Sequence, residues 1–252
     1  MTFNKLALTL LLFTVPAAHA ERPKKLIAPS EASGLVTALL TRWLDARGGS
    51  EGDGICPTIL SASGHGCTAT ANAIQLDYVG CHTSPKGGRW TGGERWVMNG
   101  GSPTCGTAPD SHFTGSITQV FLPGTRHEKS GHTLIFEPGR GVTTTLVGGK
   151  KHQAEIASVH LKSDELELTL ETPTLLALEE QGSVLKINGE IRAFDHHAGK
   201  PLWLQVKDLR LDAACETPIG GTVEAATKQR GAPILKTSFG PGCQKITAQA
   251  IL

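Results

Sequence analysis

His127 and His132 bracket the hexapeptide HEKSGH, which at first sight looks like the helix of a zinc protease. Such a helix needs its two histidines four residues apart, so that both face one metal. Here they are five apart, which turns them roughly 140° from each other on a helix of 3.6 residues per turn. Gly131 and the preceding LPGTR point to a loop, so the stretch is read as a polar surface loop. DHHAG, with Asp195, His196 and His197, also carries metal-friendly side chains. Adjacent histidines in a turn point to different sides, and no third ligand cluster stands out, so this reads as adventitious metal affinity rather than a site.

Nucleophilic and phosphate chemistry find no better footing. The serine elbow G-x-S-x-G has its closest relative in KTSFG, where lysine replaces the first glycine and no helix follows. GVTTTLVGGKK lacks both the spacing of a phosphate loop and the hydroxyl that should follow its lysine. Glu165, Glu167 and Glu171 alternate with leucines, the pattern of a solvated strand face. In GGRWTGGERW, Trp90 and Trp96 with Arg95 form a candidate ligand platform framed by glycines. The even spacing puts both rings on one face of a strand, and packing of at least one in the core is the competing reading. Aromatic residues make up only 5% of the chain, which argues against an extended carbohydrate-binding face. No cofactor is implied by any motif.

The six cysteines carry a clearer message. Cys56, Cys67, Cys81, Cys105, Cys215 and Cys243 include no C-x-x-C, so neither a redox motif nor a zinc ribbon is supported. The sequence opens with MTFNKLALTLLLFTVPAAHA: one lysine, a short apolar run and Ala18-His19-Ala20. That is the pattern of a secretory signal peptide over residues 1–20, with cleavage expected after Ala20. The apolar run is shorter than the ~20 residues of a membrane span. An even cysteine count behind an export signal reads as three disulfides in a periplasmic or secreted protein. Cys215–Cys243 is the expected pair because no other cysteine lies after residue 105. The remaining four pair among themselves, with Cys56–Cys81 favoured by analogy with that later unit. With Lys5 removed, basic and acidic side chains balance at 23 each. A balanced chain offers no electrostatic case for nucleic acid or an anionic membrane surface.

The elements that hold these residues divide the chain into a signal peptide (1–20), a leader, helix and linker (21–54), and a disulfide-stapled β domain (55–252). SEASGLVTALLTRWLDARGG places Leu35, Leu39, Leu40, Trp43 and Leu44 at helical spacing, with Ser30 or Ser33 as the expected cap. Beyond Cys56 the pattern turns to short strand-like runs separated by Gly, Pro and Asn. The glycine-rich stretch 82–110 reads as mostly loop. DELELTLETP alternates cleanly, and Asn188-Gly189 between two alternating runs is a strong hairpin signal. The fold expected is all-β, an antiparallel meander forming a curved sheet, sandwich or partial barrel, with one N-terminal amphipathic helix.

IQLDYVGC, followed by a Gly-Trp-Gly region, and CETPIGGTVEA…LKTSFGPGC near the C-terminus together resemble uncharacterised exported all-β proteins of Gram-negative bacteria. The resemblance covers about residues 56–120 and 185–248 and rests on turn and disulfide residues. It implies export and fold, and no catalytic residue is carried over from it. This chain departs from many envelope relatives in lacking a lipobox cysteine. The function expected is that of a non-catalytic envelope or secreted protein with a binding or scaffolding role toward an envelope or extracellular partner. One alternative is a carrier whose curved sheet cradles an apolar ligand such as a lipid. Another is a secreted hydrolase, which needs two or three of His112, His127, His132, His160, His196 and His197 to meet carboxylates in a cleft.

Overall fold

A computed structural model describes residues 28–44, 56, 66–82, 88–106, 112–129, 132–139, 141–164, 166–212, 215, 218–243 and 246–251. The expected signal peptide and the linker at 48–54 lie outside these residues. Helix α1 (Pro29–Leu44) comes first. Its start is not capped by Ser30 or Ser33. Instead Glu31 reaches back to accept the N–H of Ala28 at 3.0 Å, with Pro29 opening the first turn, the reciprocal half of a capping box. Ser33 lies buried in the helix, whose apolar stripe runs through Ala32, Val36, Leu39 and Leu40.

The strands form one antiparallel sheet. β1 (Cys67–Ala69), β2 (Ala73–His82), β3 (Arg89–Asn99) and β4 (Gly115–Phe121) lead into β5 (Arg126–Lys129), β6 (His132–Phe136) and β7 (Val142–Val147). β8 (Lys150–Ile156), β9 (Val159–Lys162), β10 (Glu167–Glu171) and β11 (Leu176–Gln181) follow. The long β12 (Val184–Asp195) and β13 (Lys200–Asp212) precede β14 (Gly220–Ala226), β15 (Leu235–Phe239) and β16 (Ile246–Ala250).

The strand order reduces to a simple meander. β4 and β5 lie end to end along β3, and β10 and β11 lie end to end along β12. Between them, β7 and β6 pair with β4 and β5, and β8 and β9 follow in turn. Four successive long strands are thus each interrupted midway, and the sheet is creased along the line of breaks. Main-chain bonds such as Phe136 N–H to Thr125 O (2.9 Å) and Thr172 N–H to Ile156 O (3.1 Å) keep the crease closed.

The crease explains the glycines of GGERW. Within the glycine-rich stretch 82–110 read as mostly loop lies the eleven-residue strand β3, while bends and turns lie within 100–106. Thr125, wholly buried, sits on this strand and accepts the N–H of Gly93 at 3.0 Å. Any Cβ at Gly92, where φ is +91°, would lie 2.4 Å from Thr125 Cα. Asn188-Gly189 is likewise not a hairpin turn. It lies inside β12 opposite a bulge in β13: Ile187 pairs with Leu209 and Gly189 with Val206, so Lys207 and Asp208 face Asn188 alone. Asn188 Oδ1 accepts the N–H of Asp208 at 2.7 Å, holding the bulged residue, whose φ is +48°. The turn expected at DHHAGKP does join β12 to β13.

Alternation sends one face of this sheet inward. Leu161, Leu168, Leu170, Leu176, Leu185, Ile187, Ile191 and Leu204 are fully buried there. Helix α1 packs on the same face over β13, β14 and β15, and the Ser33 hydroxyl donates to Thr237 Oγ1 at 3.1 Å. No helix among the described residues is long and apolar enough to cross a membrane.

Candidate functional site

The cysteines form three bridges, Cys56–Cys81, Cys67–Cys105 and Cys215–Cys243, with Cα separations of 4.8, 6.1 and 5.4 Å. No free thiol remains. Trp90 and Trp96 share a face, as their spacing requires, and it is the inner one: they are 4% and 6% exposed. Arg95 points to the opposite, solvent side. The three therefore form no exposed platform. Trp90 packs against Phe136 and the His127 ring, at 5.2 and 4.7 Å between centroids. Within HEKSGH, His127 to Lys129 lie on β5 and His132 on β6, with Lys129 paired to His132. His112 lies exposed ahead of β4.

Two of the six candidate histidines do meet, on the outer face. Because Val159 and Leu161 point inward, His160 and Lys162 point out. Likewise Leu168 and Leu170 turn Glu167, Thr169 and Glu171 outward. Pairing then sets His160 beside Thr169, and Thr169 beside Phe194. One step along, Glu171 stands beside Arg192, and Arg192 beside Trp203. The alternating glutamates expected to be a solvated face are thus partnered; Glu165 lies outside the described residues.

His160 is the centre of this group. Its Nδ1 lies 2.7 Å from a Glu137 carboxylate oxygen, and its Nε2 lies 3.3 Å from Glu167 Oε1. His196 stands beside it, 5.2 Å between ring centroids, and its Nε2 is 2.7 Å from Thr169 Oγ1. The turn that delivers His196 is built on Asp195, which is buried and accepts the N–H groups of His197 and Ala198 at 2.8 and 3.0 Å. The Phe194 ring meets the His196 ring edge to face at 5.1 Å. Arg192 donates to Glu171 at 2.8 Å and holds its guanidinium 6.0 Å from the centre of the Trp203 ring.

The electrostatics follow from these contacts. The hydrogen bond with His160 holds the Glu137 carboxyl below the usual glutamate value, with further help from the positive potentials of His160, Lys162 and His196; partial desolvation opposes them. Arg192 Nε is buried and has no hydrogen-bond partner among the described residues, whereas both His160 nitrogens adjoin carboxylates. Among the described residues no three of His, Cys, Asp and Glu are arranged to hold a metal ion.

This group is assembled by register alone. His160, Glu137 and Arg192 come from three separate segments of the sequence, and only the alternation at 159–162 and 166–171 hinted which side chains face out. Comparison with protein-family models, with curated proteins and with solved structures finds no match to this chain.

Proposed function

We propose that the protein is a non-catalytic binding or scaffolding protein of the cell envelope or extracellular space. It engages its partner through the outer face of β9, β10, β12 and β13. The observation that carries this reading is the group around His160 and Arg192: charged and aromatic side chains fixed against one another on an open sheet face. Side chains already held in place lose little further freedom when a partner binds. The partner surface that fits presents polar groups complementary to the His160–Glu137 and Arg192–Glu171 pairs and an apolar plane to Phe194 and Trp203.

The inner face supports this choice over a lipid carrier. Leu161, Leu168, Leu170, Leu176, Leu185 and Ile191 are at 0% exposure, so protein atoms cover them on every side. A ligand chamber would leave such walls accessible. A hydrolase is supported less, because His160 and His196 stand on an open face and both His160 nitrogens adjoin carboxylates.

The test is chemical cross-linking of the secreted protein in its native host, comparing wild type with Arg192→Ala/Trp203→Ala. Loss of one specific cross-linked partner in a variant with unchanged thermal unfolding supports the reading. An identical cross-link profile in both overturns it. So does a stoichiometric lipid found by mass spectrometry after organic extraction of the purified protein.

A further inference from the structure

The two edges of the sheet are finished differently. β1 is three residues long and is tied down by the Cys67–Cys105 bridge. That is how natural sheets blunt an edge. β16 is a five-residue strand, Ile-Thr-Ala-Gln-Ala, with no charged residue and no proline, and every residue in it is exposed. It pairs only with β15 among the described strands.

Its backbone has a defined polarity. Ile251 N–H donates to Ile234 O at 3.0 Å, one step beyond the Leu235–Ala250 pair. In an antiparallel ladder hydrogen-bonded and non-hydrogen-bonded pairs alternate. Gln249 and Thr247 therefore bond β15, while the N–H and C=O groups of Ile246, Ala248 and Ala250 point away from it. The side chains of those same three residues lie on the inner face, opposite Phe239, Thr237 and Leu235.

This pattern is self-complementary. Place a second β16 antiparallel about a two-fold axis through Ala248, and Ala248 meets Ala248 while Ile246 meets Ala250. Those are the residues whose amides and carbonyls point outward, so each facing pair exchanges both main-chain hydrogen bonds. Small apolar side chains meet on the inner face, Thr247 meets Gln249 on the outer face, and no like charges oppose. We propose that two copies of this chain join β16 to β16 in this register, making one continuous sheet and a symmetric dimer. An interface of this kind is isologous and closed, so assembly stops at two. It also covers Ile246, which is 55% exposed in the single chain.

The experiment is sedimentation-velocity analysis of the full mature chain over a concentration series, beside Ala248→Pro and Ala248→Lys. The N–H lost to proline at 248 makes no bond to β15, so this substitution spares the chain's own sheet. Lysine there instead sets two like charges against each other across the axis. The wild type is expected at twice the monomer mass, and both variants at the monomer mass with unchanged far-ultraviolet circular dichroism. Should Ala248→Pro lose structure, Ala248→Lys alone decides. A wild type that stays monomeric at its highest soluble concentration overturns the proposal, as does a dimer that survives Ala248→Lys.

Discussion

The carboxylate of Glu94 accepts the indole N–H of Trp96 at 3.0 Å, two residues along the same strand and on its inner face. The Gln119 side-chain amide from the neighbouring strand donates to the same oxygen. Glu94 is fully buried, so this carboxylate is held by directed donors within an apolar core. Glu94→Ala leaves at least two donors facing hydrocarbon and is expected to destabilise the fold by about 2–4 kcal/mol. Urea unfolding measures the loss, and a change in Trp96 fluorescence reports its origin. A loss below about 0.5 kcal/mol, the range of ordinary surface substitutions, contradicts the assignment.

Ser33 and Thr237 offer a finer test of how the helix is seated. Thr237→Val alone strands the Ser33 hydroxyl in a buried position and is expected to cost about 1 kcal/mol or more. The double variant Ser33→Ala/Thr237→Val replaces both polar partners and is expected to be closer to wild type than the sum of its singles. A thermal double-mutant cycle reads the coupling. Strict additivity would mean that the two hydroxyls do not interact. Leu40→Ala, at a site 1% exposed, is expected to cost about 2–5 kcal/mol through loss of packing.

The Cys215–Cys243 bridge closes a segment of 28 residues containing β14 and β15. Replacing both cysteines with serine is expected to remove about 3–4 kcal/mol of stability in the chain-entropy account. Peptide mapping without reduction should recover Cys56–Cys81, Cys67–Cys105 and Cys215–Cys243 and no other pairing. Full reduction should lower the unfolding temperature more than loss of this one bridge does.

Acid should weaken the fold through carboxylates that the fold favours in their charged form. Glu137 sits below its ordinary value of 4.5 because of His160, and Asp208 below 3.8, first because of its hydrogen bond to Lys186. A depressed folded-state value means stability present above the ordinary value and lost as pH falls through the folded one. Stability should therefore begin to fall below about pH 4.5 on account of Glu137, and Glu137→Gln/Asp208→Asn should make that fall shallower. Both groups are exposed, so the difference is small and is best read from urea midpoints at low salt. A steeper acid limb in the variant would contradict the sign.

The parts of the fold that sequence made legible are those where one face is wet and the other dry. Leu168 and Leu170 alternate with polar residues because β10 has such faces, and the helix stripe from Leu35 to Leu40 has the same cause. Asn188-Gly189 misled because a pair suited to a tight turn also serves inside a strand, here opposite the bulge of β13. The choice depends on whether the flanking runs pair with each other or continue along a third strand. Here Ile187 pairs with Leu209 and Ile191 with Leu204, so they continue. Gly92 and Gly93 looked like loop for a similar reason, since the Thr125 backbone that rests on them arrives from 32 residues away. Of the outer-face group only His160 and His196 stand among the candidate histidines. That these two meet, with Arg192 and Glu137 beside them, was not legible because these neighbours come together only through pairing.

The meander runs in sequence order, yet Ser33 and Thr237, which seat the helix, are 204 residues apart. A chain emerging from its N-terminus can add each strand to the one just completed, with only short loops to close. The helix is different: it precedes every described strand in the chain, and the strands beneath it, β13, β14 and β15, are three of the last four. Its apolar stripe is covered only when those strands are in place. Seating the helix therefore joins elements far apart in the chain, and removal of β13 to β15 leaves it without a seat.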